Sequence, residues 1–388
     1  MYFKIVKMTT KKKKDKKYNI TLAKPWFDDR EAKSAAEVVA SRWLISGPKV
    51  AQFEKEFAKK IKVKYTIAVG SGSDALLIAQ QALGVTEGDE VVVPNMTFVS
   101  TATSSMYLGA KPVFADIELK TYGMDPKDIE KKITKKTKGI IPVHYAGQSC
   151  DLNQIIKIAK KHGLFVLEDA AEAHLAKHQG RYVGGIGDIG IFSFTPSKPM
   201  TTGEGGMITT NNEILAKKCK LIRNFHDVGK FEWSELGFHF RMPEMMGAIG
   251  LVQLKKLSKA VAMRHAVAAR YSKALEKEPA VITPFVRNNE DINFQLYTIR
   301  LNPDKLSITR DEFIHELELL GIQSRLYYPC LHRQGVFKVF GKYNDADFPN
   351  TINFSRTALS LPIYPDLSNE EADHIIYSVR QIINKYKK

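Results

Sequence analysis

One lysine, Lys198, stands in the run DIGIFSFTPSKPMTTGEGGMITT from Asp188 to Thr210, between a serine-bearing apolar stretch and a glycine cluster. An amine so placed suits carbonyl chemistry. A lysine that forms a Schiff base needs surroundings that lower its ammonium pKa and a phosphate-carrying aldehyde to meet it. With 58 Lys plus Arg in 388 residues, position alone does not separate Lys198 from a solvated surface charge, but two other segments do. LFVLEDAAEAH, from Leu164 to His174, runs an apolar stretch into Glu168 and Asp169. That sets a carboxylate at the C-terminal edge of a buried strand, where open α/β sheets hold their ligands. Taken alone, such an aspartate reads first as an ordinary helix N-cap. VGSGSDALLIAQQAL, from Val69 to Leu83, leads an apolar run through a Gly-Ser-Gly-Ser turn into helical periodicity. The backbone N–H groups of Gly72 and Ser73, the Ser73 hydroxyl and the helix N-terminus all offer partial positive charge to a phosphate dianion. The turn matches neither the P-loop nor the dinucleotide fingerprint.

An aldehyde, a phosphate and a ring nitrogen are united in pyridoxal 5'-phosphate (PLP). A carboxylate facing the pyridine nitrogen keeps it protonated, and the cationic ring then serves as the electron sink. The three segments join LAKPWFDDREAKSAAEVVASRWLISGPKVAQFEKEF near the start, PNMTFVSTATSSMYLGAKPVFADI in the middle and LSLPIYPDLSNEEADHII near the end. Together they resemble the fold-type I PLP enzymes and, among these, the DegT/DnrJ/EryC1/StrS family of nucleotide-sugar aminotransferases. The likeness runs over nearly the whole chain, and EDAAEAH and SFTPSKPMTTGEGGM are its most specific elements.

The resemblance implies roles position by position. Lys198 is the Schiff-base lysine and Asp169 the partner of the pyridine nitrogen. Ser193, five residues before Lys198, bonds the cofactor phosphate, and Gly72 and Ser73 form the turn that cradles it. Phe98 covers one face of the ring, as offset stacking allows. Glu172 stands where relatives carry Gln or Glu against the ring hydroxyl; a carboxylate there must either hold a proton or sit slightly away. His239, in GFHFRM, stands where most relatives have an Asn that reaches the phosphate of the neighbouring subunit's cofactor, and Arg241 is a nearby substitute. Tyr328 and His332, in SRLYYPCLH, resemble the family's Tyr-Pro-Leu-His stretch and are expected to touch substrate.

The activity implied is amino transfer from L-glutamate to a nucleotide-diphosphate-linked keto sugar, in a homodimer with shared active sites. FRMPEMMGAIGLVQL resembles perosamine-synthase-type members and points to C4 of an NDP-4-keto-6-deoxyhexose, whereas SGSDAL resembles the turn of 3-keto-sugar enzymes. Relatives that dehydrate the sugar carry His at the lysine position, so Lys198 favours transamination. A regulatory protein that kept the fold without turnover is the alternative from another class.

These side chains must be held by an alternation of apolar strands and amphipathic helices, which runs from about Tyr65 to Thr210. YTIAV, EVVVP, KPVFA, GIIPV, LFVLE and IFSF read as strands, and SDALLIAQQAL and DLNQIIKIAKKHG as helices, with Gly163 as a C-terminal stop. The fold class expected is α/β: a large domain with a mostly parallel, helix-covered sheet and a smaller C-terminal α+β domain. A long helical stretch from Glu244 leads into the smaller unit, which has QLYTIRL as a strand and ITRDEFIHELELLG and NEEADHIIYSVRQIINKY as helices. The boundaries read as a basic disordered tail over 1–17, a large PLP-binding domain over 18–278 and a small domain over 279–388.

Composition fits a cytoplasmic enzyme. Hydrophobic residues make up 44% of the chain, ample for a large core, and Cys150, Cys219 and Cys330 lack metal-ligand spacing. No apolar run reaches the ~20 residues of a membrane helix. The net charge of +16 suggests nucleic acid, yet residues 1–17 carry +7 of it, and no stacking aromatics or helix-turn-helix accompany the rest. The excess suits general attraction of a substrate diphosphate.

Overall fold

Short apolar runs separated by amphipathic stretches become the strands of one seven-stranded sheet. The computed structural model describes residues 18–229, 231–341 and 343–388, so the basic tail expected over 1–17 lies outside the described residues. The strands are β1 (Tyr65–Val69), β2 (Glu90–Pro94), β3 (Lys111–Ala115), β4 (Thr137–Ile140) and β5 (Phe165–Asp169), followed by Ile189–Ser193 and Gly206–Thr210. Their spatial order is β1, Gly206–Thr210, Ile189–Ser193, β5, β4, β2, β3. All run parallel except Gly206–Thr210, which is antiparallel to both neighbours. The sequence reading named six of these seven. GMITT is the seventh; it opens on a glycine pair, and its β-branched residues are buried only once a partner lies on each side. β4 stops earlier than GIIPV suggests: Pro142, with no N–H to give a ladder, instead accepts from the Asp169 amide at 2.9 Å.

Helices cover both faces, and alternate residues of each strand divide between them. Ile67, Leu167, Ile191 and Ile208 pack toward α3 (Gly72–Ala82). Ala68, Phe192 and Met207 pack toward α2 (Pro48–Ile61) and the helix Glu244–Leu275, and Val166 toward Leu152–His162. The last of these helices ends at Gly163 in a left-handed conformation, φ 67, as a C-terminal glycine stop requires. The N-terminus of α2 is tied across the chain by buried Glu244, whose carboxylate accepts from the amides of Gly47, Lys49 and Val50 at 2.9, 2.7 and 3.1 Å. The preceding helix, α1 (Asp29–Ser41), opens with a capping box of Asp28 and Glu31.

The helix Glu244–Leu275 joins two cores, with Leu254 and Leu257 in one and Val267, Tyr271 and Leu275 in the other. The second core surrounds a three-stranded antiparallel sheet with Tyr297–Leu301 at its centre, between Val281–Ile282 and Ala358–Leu361. Capping boxes at Thr309/Glu312 and Ser368/Glu371 start its helices Arg310–Leu319 and Asn369–Tyr386. Ile20 completes this core, with its amide donating to the Gly321 carbonyl at 2.8 Å.

Candidate functional site

The C-terminal ends of β1, β5 and Ile189–Ser193 open on one cavity of 340 Å³. Its walls come from six stretches of the chain. β1 ends in the turn Gly70–Ser71, and the Ser71 side chain caps α3 by accepting from the Asp74 amide at 3.1 Å. Gly72 and Ser73 are then the first two residues of α3, and their amides have no acceptor within the helix. Two glycines allow this turn to approach the sheet. A Cβ on Gly72 would stand 2.9 Å from Ser193 Cβ, and one on Gly206 would stand 2.3 Å from the Ser71 carbonyl oxygen. The Ser73 hydroxyl lies at the same wall, 2.7 Å from Ser100 Oγ at the start of α4 (Ser100–Met106).

Asp169 ends β5 and is buried on the α3/α4 side. Its Oδ2 accepts from Thr101 Oγ1 at 2.8 Å and its Oδ1 from the Ala171 amide at 3.2 Å. Burial raises its pKa, against the lowering effect of those two donors and of Lys198. It is a carboxylate supplied with fewer donors than its two oxygens can accept.

Lys198 lies in the loop that follows Ile189–Ser193, and among the described residues lining the cavity it is the only amine. Its Nζ is 3.2 Å from Glu172 Oε1. Glu172 is held at both oxygens, with Oε2 accepting from the Ala146 amide at 2.8 Å and Oε1 also from the Tyr328 hydroxyl at 2.6 Å. Burial, and then Glu172, push the Tyr328 phenol well above its ordinary value. His174, close behind, is lowered to about 3, first by burial and then by Lys198 and Arg264, so its ring is neutral. Phe98 forms the open side; it is 54% exposed and meets only the edge of Tyr328, with ring centroids 5.9 Å apart.

Of the residues singled out in the sequence, Gly72, Ser73, Phe98, Asp169, Glu172, Ser193, Lys198 and Tyr328 share this cavity. Three lie elsewhere. His332 is buried, with Nδ1 2.7 Å from the Asn95 side chain and Nε2 3.0 Å from Asp345. His239 is exposed, its Nε2 2.8 Å from Arg241, on a segment whose Phe240 carbonyl accepts from the Gly70 amide. Arg241 lines a separate hollow with Arg223 and Glu54. Sequence reading missed Thr101 and the Ala146 amide. Thr101 stands 68 residues from Asp169 and Ala146 stands 26 from Glu172, with no motif to join either pair.

The residues present fit PLP in kind. The cavity lies within the ~300–1,000 Å³ of small-molecule sites. It offers free helix amides and hydroxyls to a phosphate, an under-supplied acid to a cationic ring nitrogen, an amine to an aldehyde and an exposed ring to a flat heterocycle.

Comparison with known proteins agrees. The spore coat polysaccharide biosynthesis protein SpsC of Bacillus subtilis (strain 168) is 39% identical, over 92% of this chain and 96% of its own. GDP-perosamine synthase of Caulobacter vibrioides is 37% identical, over 94% and 98%. The solved structure of Spr1654 from Streptococcus pneumoniae in its PLP form matches with a TM-score of 0.90 at 28% identity, over 95% of this chain and 99% of that one. The pattern of the DegT/DnrJ/EryC1/StrS aminotransferase family matches residues 25–380, and the chain belongs to that family.

Proposed function

We propose that the chain carries PLP on Lys198 and transfers the amino group of L-glutamate to a nucleotide-diphosphate-linked keto sugar, at C4 of an NDP-4-keto-6-deoxyhexose. The observation that carries this reading is the meeting of Lys198, Asp169 and the α3 N-terminus in one cavity. The likeness to GDP-perosamine synthase supports the choice of substrate. Bound PLP would supply an electrophilic carbon and an electron sink. The chain's own residues do the rest. Gly72, Ser73 and Ser193 hold the phosphate with neutral donors. Asp169 would accept from the pyridinium N–H and so gain a bonded cationic partner for its buried carboxylate. Phe98 covers the ring and excludes water from that face. With the group bound, Lys198 Nζ would be the residue to take the donor's α-proton and hold it, as base and then acid. Glu172, 3.2 Å away, receives the ammonium while that proton is held.

A homodimer is part of the proposal. Trp43, Leu44, Phe231, Trp233 and Leu236 are exposed apolar residues that a second copy would cover. His239 and Arg241, outside their own chain's cavity, are then free to reach the partner's. Three buried, unpaired cysteines accord with a cytoplasmic setting. No described helix is long and apolar enough to cross a membrane.

Borohydride treatment of the holoprotein should fix the coenzyme on Lys198, and glutamate should shift the visible band before any sugar is added. A regulator without turnover would show no such shift. Incubation with a panel of NDP-keto sugars, with the new C–N bond located by NMR, then separates C4 from C3. Amination of non-sugar ketones alone would remove the nucleotide-sugar assignment.

A further inference from the structure

Glu172 is bonded more fully than a carboxylate that only faces a coenzyme hydroxyl requires. One of its oxygens, Oε1, accepts from two donors at once, Lys198 Nζ at 3.2 Å and the Tyr328 hydroxyl at 2.6 Å. The shorter contact is the phenol's, in the range of a charge-assisted O–H···O⁻ bond. The phenol is also held in place. Its ring meets Phe98 and Tyr327 edge-on, with centroids 5.9 and 5.2 Å away. The Tyr327 carbonyl accepts from the Tyr145 hydroxyl at 2.6 Å, which in turn meets Thr298 Oγ1 at 3.0 Å. Tyr145 adjoins Ala146, whose amide fixes the other oxygen of Glu172 at 2.8 Å. One short turn, Tyr145–Gly147, therefore anchors both the carboxylate and the backbone that carries its phenol partner.

We propose that Tyr328 is a positioning residue for the amine: by sharing Glu172 Oε1 with Lys198, its hydroxyl weakens the carboxylate's hold on the ammonium and lets Lys198 give up its proton. The proposal rests on Lys198 being the coenzyme-bearing lysine and assigns Tyr328 an effect that passes through Glu172. The physical reason is competition for one oxygen. A strong donor at Oε1 withdraws negative charge that would otherwise stabilise the ammonium. The phenol keeps its proton because burial and the facing carboxylate both oppose its ionisation, so the donation persists across the working pH range. The other groups around Lys198 are Asp169 and the neutral His174, within electrostatic reach, and Glu204 and Tyr327, which line the same cavity. None of these has a bond to Glu172 Oε1 among the described contacts, so Tyr328 is the partner whose loss changes that oxygen directly.

The test is the pH dependence of Lys198 capture in the full-length, coenzyme-free chain. Pyridoxal, which lacks the phosphate, is added across a pH series; the product is reduced with borohydride, and modification at Lys198 is read by mass spectrometry. Tyr328→Phe should move the half-capture pH upward by about one unit, because Oε1 then serves the ammonium alone. 3-Fluorotyrosine at position 328, isosteric and a stronger donor, should move it down. Glu172→Gln should also move it down, and adding Tyr328→Phe to Glu172→Gln should change nothing further. A Tyr328→Phe midpoint equal to wild type, with only the yield reduced, would overturn the proposal, as would an equal shift in the Glu172→Gln background. Wild-type protein that never captures the probe at Lys198 would instead remove the coenzyme-lysine assignment, and this proposal with it.

Discussion

Glu168 and Asp169 are consecutive, both buried, and end the same strand, yet the two faces of β5 treat them in opposite ways. Glu168 points away from the cavity. It accepts from the amides of Gly184, Ile186 and Gly187 at 2.8, 2.7 and 2.7 Å and faces His144 Nε2 at 3.1 Å. Burial pushes its pKa up, but His144 and those amides outweigh burial and leave it lowered. Asp169 has one hydroxyl and one amide, and burial wins, so its pKa is raised. The difference teaches how one sheet separates structure from chemistry. A carboxylate saturated by the backbone closes a loop, whereas one left short of donors is ready for a further cationic partner.

Three substitutions press on that comparison. The largest effect belongs to the cavity side. Lys198→Ala should lower turnover by at least about 10⁴-fold, and should also cost some stability because it leaves Glu172 buried without its ammonium partner. Substantial transamination by this variant would take Lys198 out of the mechanism. On the other face, Glu168→Ala should cost about 3–5 kcal/mol in chemical denaturation, because it strands one buried amide, two part-buried ones and a buried histidine. The sign with pH follows from the lowered pKa. Glu168 adds stability above the unfolded carboxylate range and loses it as the pH falls through its folded value, so the deficit of the variant should shrink in acid. A deficit constant with pH would mean that the carboxylate's charge is not what closes the loop.

The smallest effect is the most diagnostic. Because the pKa of Asp169 is raised, the folded coenzyme-free chain holds that proton more tightly than the unfolded chain. Stability therefore falls as the pH rises from the unfolded carboxylate range through the raised value. Asp169→Asn removes this titration, and Thr101 can turn its hydroxyl to accept. The coenzyme-free variant should thus be more stable than wild type at neutral pH, with the gain vanishing in acid, while activity drops. A variant less stable than wild type without coenzyme would erase the distinction between the two faces.

Most of this was legible in local sequence. Apolar runs of strand length, a serine before a helix and Gly163 after one each depend on neighbours within a few residues, so six strands and the main helices could be read before any contact was known. Lys198 and Asp169 are legible because amine and strand-end carboxylate chemistry calls for those side chains in segments that resemble the family's, and the Gly72–Ser73 turn because its close approach to the sheet needs a glycine. Other features depend on partners distant in the chain. Gly206–Thr210 becomes a central strand only when both of its neighbours are in place. Glu168 and Asp169 look alike in the string, and the strand's alternation, fixed by packing, decides which of them meets Thr101 and which meets Gly184. Tyr328 reaches Glu172 across 156 residues. Local conformation is encoded where it occurs, but the donors around a buried charge are supplied by the folded chain as a whole.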